Sequence, residues 1–250
     1  MPFGIHTSLD LARAYQGRSF QGSEPWAADT RCIFVGYDPN FPRWGDQKWI
    51  DNCGQYIQYV EDPLLWWGDH PRHHPLTPPN PISLQGYHGK VRGLMNLCGD
   101  VLIRENIAFV DLLGKPTFGS WGTERGLFRR ELQTPENLQH LVMMYNWLRD
   151  RSKLVILPKE VLKRMCSIPA NPRLADDEKL LPDLVPLSTH ANAFFTAHAD
   201  QEMFHLAAIP NLLVANHFPF FWNGVMLAEI EQTLATMAPT IIEWFHLHPV

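Results

Sequence analysis

Four short apolar runs, spread across the chain and each too short to make a useful helix, limit the possible folds more than any other feature. They cover residues 31–36, 106–113, 153–157 and 211–216, and valine, isoleucine, leucine and phenylalanine dominate them. Runs of this length with no polar alternation suit strands buried on both faces. Helical patterns lie between them. Apolar residues recur at helical intervals over 89–103, and shorter helices are expected over 8–15, 159–165 and 224–237. Thr134 followed by Pro135 supplies an N-cap and a first-position proline for a helix running to residue 150. Strands alternating with helices predict an α/β fold around a mostly parallel sheet.

The composition fits one such domain spanning 1–250. Hydrophobic residues make up 45 % of the chain and charged residues 19 %, which excludes a disordered or coiled-coil protein. With 21 prolines in 250 residues, long stiff connections are expected, and two proline-rich stretches near 62–84 and 168–186 read as excursions within the domain. No second apolar set is large enough for an independent core. The first ten residues lack a basic start followed by an apolar run, and no stretch could span a bilayer, so a cytoplasmic protein without membrane contact is expected. None of the 4 cysteines stands at C-x-x-C spacing, which argues against a zinc or iron–sulfur site built from them. The net charge of −5 does not favour nucleic acid, although a local basic groove is compatible with an acidic total.

Working residues in open α/β sheets lie just beyond the carboxyl ends of the strands. After the first run stand Gly36, Tyr37, Asp38, Pro39 and Asn40. Asp111 closes the second run, and His217, Phe218, Pro219 and Phe220 follow the fourth. Two carboxylates and a histidine converging on one sheet edge suit a hydrolytic site.

A strand followed by Gly-x-Asp-Pro-x near the start, and one followed by His-x-x-Pro near the end, together resemble the uracil-DNA glycosylase superfamily. The order of elements matches over roughly residues 30–235, though only some fifteen residues carry it. The resemblance implies a three-layer α/β/α sandwich with a central, mostly parallel four-stranded sheet. It also implies a monofunctional glycosylase that flips a base out of double-stranded DNA, works as a monomer without cofactor or metal, and leaves an abasic site. Carried over, Asp38 orients the water that attacks C1′ and stabilises the oxocarbenium-like transition state, while Gly36 and Tyr37 line the base. His217 donates a hydrogen bond to O2 of the departing base. Phe220 and Phe221 stand where the family places the side chain that wedges into DNA.

Two departures from the uracil-specific pattern bear on the substrate. The uracil enzymes read Gly-Gln-Asp-Pro-Tyr, and their tyrosine blocks substituents at C5 of the pyrimidine. Here the smaller Asn40 stands in its place, and Tyr37 replaces the glutamine. Asp111 stands where the family has an asparagine. An ionised aspartate only accepts hydrogen bonds, which suits the N4 amino group of cytosine and repels O4 of uracil. A protonated Asp111 could instead read uracil, and the sequence does not fix that proton. An open C5 side and an acceptor at N4 point to a C5-modified cytosine, such as the glucosylated 5-hydroxymethylcytosine of some phages. The segment from Gly45 to Gly86 would add wall around the substituent, and the role would be antiviral defence in a bacterial cytosol.

Supporting residues follow from position. Phe41 and Trp44, with Trp49 behind them, follow the first motif closely enough to stack a flipped base. Lys115, Arg129 and Arg130, with Arg125, offer a phosphate-binding rim. His70, His73 and His74 have spacing that can bind a transition metal, but their proline-flanked loop offers no fixed scaffold, so no metal is expected. Lys115 is the lysine closest to the motifs, four residues past Asp111, so no amine nucleophile for strand cleavage is expected. The alternatives are a uracil or mismatch-specific repair glycosylase, an inactive glycosylase-like binding module, and an unrelated α/β hydrolase acting on free nucleosides.

Overall fold

The computed structural model describes residues 4–6, 18–36, 46–69, 87–118, 125–167, 196–198, 201, 203–206, 209–215 and 227–249. The fold is mixed α/β. Its main sheet contains β2 (Phe20–Gly22), β3 (Cys32–Gly36), β4 (Ile107–Asp111), β6 (Leu154–Pro158), β7 (Met203–Leu206) and β8 (Ile209–Ala215), and its order is β2-β4-β3-β6-β8-β7. The inner four strands run parallel, and β2 and β7 pair antiparallel at the two edges. A second, two-stranded antiparallel sheet joins β1 (Gly4–Ile5) to β5 (Thr117–Phe118).

The four apolar runs of the sequence are the four inner strands. Every residue of β3 and β6 is buried, because each strand has a neighbour on both sides and helices on both faces. Alternate residues feed two cores. Ile33, Val35, Val110, Val155 and Val214 join α4 (Arg125–Leu132), α5 (Pro135–Leu148) and α6 (Lys159–Ser167) on one face. Cys32, Phe34, Phe109, Ile156 and Leu213 join α2 (Pro63–Asp69), α3 (Tyr87–Cys98) and α7 (Leu227–Leu247) on the other. Of the helices after β3, α2 and α3 therefore cover one face, and the helix after β6 covers the opposite one. The sheet's topological switch point thus lies between β3 and β6, where open α/β sheets bind ligands.

The main sheet has six strands rather than the four expected. The edge strands were missed because they are short and have one partner each, so they need no continuous apolar run. In β7, for example, His205 faces solvent between two buried residues. The proline-rich stretch expected from residue 62 begins instead as a helix. Asp62 caps α2, its Oδ1 accepting from the Leu65 amide at 2.9 Å, Pro63 takes the first position, and Leu64 and Trp66 are buried. Proline density concealed an ordinary helix start. Two further helices, α1 (Asp46–Glu61) and α4, also went unread.

The final helix runs ten residues past its expected end at Met237, straight through Pro239. Pro239 lies on the exposed side, as does Ala235, whose carbonyl loses its helical donor. Solvent can satisfy that carbonyl. Beyond the proline, Ile241, Trp244 and Phe245 are buried in the second core. The expected helix over 8–15 and the excursion over 168–186 lie outside the described residues. Among the described residues, no helix is long and apolar enough to cross a membrane.

Candidate active site

At the carboxyl edge of the parallel strands Gly36 and Asp111 are direct partners in the β3–β4 register, and the Leu112 amide donates to the Gly36 carbonyl at 3.1 Å. Strand alternation sends the Asp111 side chain toward the face covered by α3. Its carboxylate lies so close over Gly36 that a Cβ at residue 36 would collide with Oδ1. Glycine at this position therefore supplies space for the carboxylate. Asp111 itself is half-buried.

The chain leaving β4 is held from the other face by α5. His140 Nε2 donates to the Asp111 carbonyl at 2.7 Å. Asn137 accepts from the Gly114 amide at 3.0 Å and donates to the Leu112 carbonyl at 3.1 Å. The His140 ring packs so tightly on Gly114 that a Cβ there would sit 2.7 Å from the ring. Burial lowers the His140 pKa, and the bond to the Asp111 carbonyl offsets part of that effect. A carbonyl only accepts, so the neutral tautomer carries its proton on Nε2.

A polar cluster stands beside Asp111. Tyr59 comes from α1, and its hydroxyl is hydrogen-bonded to His88 Nδ1 at 3.3 Å. His88 meets Phe109 edge-to-face with centroids 4.7 Å apart, and Tyr87 meets the same ring at 5.4 Å. Burial raises the pKa of Tyr59, with the Tyr56 and Asp111 charges adding to the rise. Burial also raises that of Tyr87, reinforced by the charges of Asp111 and Cys32. Both phenols thus stay protonated and able to donate. Lys90, within the first turn of α3, is only 3 % exposed, and burial pulls its amine down to about 8.

Of the residues singled out in the sequence, Gly36 and Asp111 are brought together. Lys115 lies in the loop after β4, its Nζ 3.8 Å from Glu136 Oε2. Arg129 and Arg130 are exposed on α4, whose Phe128 and Leu132 enter the core. Tyr37, Asp38, Asn40, Phe41, Trp44, His217, Phe220 and Phe221 lie outside the described residues, as do His70, His73 and His74. Among the described residues no group of three or more His, Cys, Asp and Glu could hold a metal ion.

Sequence reasoning missed Tyr59, His88, Lys90, Asn137 and His140. A signal did exist for Lys90: it sits next to Val91 on the apolar stripe Val91, Leu94 and Cys98, where a lysine is out of place. Asn137 and His140 likewise fall on the buried side of α5. Comparison with family models, with curated proteins and with solved structures found no match.

Proposed function

We propose that this protein is a DNA glycosylase of the uracil-DNA glycosylase kind, with that superfamily's three-layer plan. It hydrolyses the N-glycosidic bond of a flipped-out pyrimidine in double-stranded DNA and leaves an abasic site. The observation that carries the reading is the pairing of Gly36 with Asp111 at the carboxyl edge, beside the switch point. The strand leading to Asp38 and the strand ending in the base-reading position are adjacent there. Asp38 orients water for attack on C1′, and His217 stabilises charge on the departing base. Asp111 accepts from the exocyclic amine of a cytosine, and Asn40 leaves room at C5. Tyr59 belongs to the segment between Gly45 and Gly86 that this reading assigns to the wall around the substituent, and its hydroxyl is fixed there by His88. A glucosylated 5-hydroxymethylcytosine fits this reading, and its removal from phage DNA would serve bacterial defence.

The test is abasic-site formation on duplexes containing uracil, T·G mismatches, cytosine, 5-hydroxymethylcytosine or glucosylated 5-hydroxymethylcytosine. Release should be confined to modified cytosine, and Asp38→Asn should slow it by about 10²-fold or more. Asp111→Asn should shift preference toward uracil by about 1–3 kcal/mol, the worth of one good base contact. Uracil release by the natural chain would keep the fold and overturn the reading of Asp111. No release from any duplex would leave a binding module.

A further inference from the structure

The first turns of α5 carry two buried polar side chains that their own helix does not need. Thr134 already caps α5, its Oγ1 accepting from the Asn137 amide at 3.4 Å, and Pro135 occupies the first position. The side chains of Asn137 and His140, 2 % and 4 % exposed, instead hold residues 111–114 through three hydrogen bonds. His140 Nδ1 is buried and has no hydrogen-bond partner among the described residues. A leucine there would avoid that penalty, so the imidazole is costly to keep for packing alone. Gly114 is the matching concession on the loop, since any side chain there would strike the ring.

We propose that Asn137 and His140 are positioning residues, which fix the Asp111 carboxylate over Gly36 by gripping its main chain from the opposite face of the sheet. One face of the sheet then presents the carboxylate while the other sets its height and direction. The side chain of Asp111 branches from the Cα bonded to the carbonyl that His140 holds, and Asn137 keeps Leu112 and Gly114 from swinging. The inference deepens the proposed function, because it assumes that the placement of Asp111 decides which base is accepted.

The experiment pairs His140→Leu, which removes the donor, with His140→Gln, whose amide can restore it. Two readouts are taken on the full chain. The first is kcat/KM for glucosylated 5-hydroxymethylcytosine and for uracil in the same duplex. A misplacement of about 1 Å can cost about 10²-fold, so His140→Leu should lower the ratio between the two bases at least about 10-fold, mainly through kcat, and His140→Gln should recover most of it. A purely structural role would lower the active fraction equally for both bases and leave the ratio unchanged. The second readout needs no activity: a carboxyl ¹³C titration of Asp111, assigned with Asp111→Asn. Its midpoint should move in His140→Leu and return in His140→Gln. An unchanged midpoint in His140→Leu overturns the clamp, whether or not any base is released. Failure of the natural chain to release a base overturns only the glycosylase reading, and the titration then decides the clamp alone.

Discussion

Asp111 and Gly36 form a unit in which one residue is defined by what the other leaves out. Gly36→Ala would put a methyl group where Oδ1 now lies. Overpacking of this kind costs about 1–3 kcal/mol, and the cheapest relief is to turn the carboxylate away. Gly36→Ala should therefore reduce discrimination among bases more than it lowers the melting temperature, as paired kinetics and thermal melts would measure. Lys90 gives a prediction in pH. Its amine titrates at about 8 in the folded chain against 10.5 ordinarily. Between those values the unfolded chain binds more protons, so this group makes stability rise with pH across that window, and its penalty is fully present below about 8. The slope is at most about 1.4 kcal/mol per pH unit. Tyr59 and Tyr87, with raised pKa values, act in the opposite sense above pH 10. Melting Lys90→Met beside the natural chain at pH 7.5 and 9.5 isolates the lysine: the stability of the variant relative to the natural chain should fall from pH 7.5 to pH 9.5.

Among the elements, α7 shows most clearly how tertiary packing overrides a local breaker. Pro239 costs the helix one hydrogen bond, and the turns beyond it persist because Trp244 and Phe245 bury themselves behind the sheet. The end is also tied down by Arg31, which donates to the His248 carbonyl at 2.6 Å and lies 5.2 Å from the centre of the Phe245 ring. Trp244→Ala should cost about 3–5 kcal/mol and fray the helix back toward Pro239, visible as faster amide exchange over 240–248. The start of β6 is anchored differently. Lys153 is buried, and its ammonium donates to the carbonyls of Ala27 and Thr30 at 2.5 and 3.1 Å, with Asp150 3.6 Å away. Asn211 donates to the carbonyls of Leu148, Asp150 and Lys153. These side chains satisfy carbonyls of the chain just outside the paired strands, which is why polar residues open the apolar runs 153–157 and 211–216.

For the molecule as a whole, a net charge of −5 sets a condition on the proposed DNA partner: contact must run through a local basic rim. Each phosphate contact adds about one to the slope of log affinity against log salt. If the exposed Arg129 and Arg130 lie on that rim, Arg129→Ala and Arg130→Ala should each reduce the slope by about 1, with base preference unchanged. Fluorescence anisotropy on an abasic duplex across a salt series checks this, and unchanged slopes would remove α4 from the interface.

The inner four strands, the capped start of α5 and the α/β class were legible along the chain, because burial on both faces and helical amphipathicity leave their mark within a few consecutive residues. Gly36 and Asp111 were legible as strand ends for the same reason. The edge strands, α1, α2 and the far end of α7 were not, since each is stabilised by surfaces contributed from distant segments. The grip of Asn137 and His140 on residues 111–114, and the meeting of Tyr59 with His88, likewise came only with the tertiary structure. Such side chains act on the backbone or ring of another element, and that partner leaves no trace in the residues beside them in sequence.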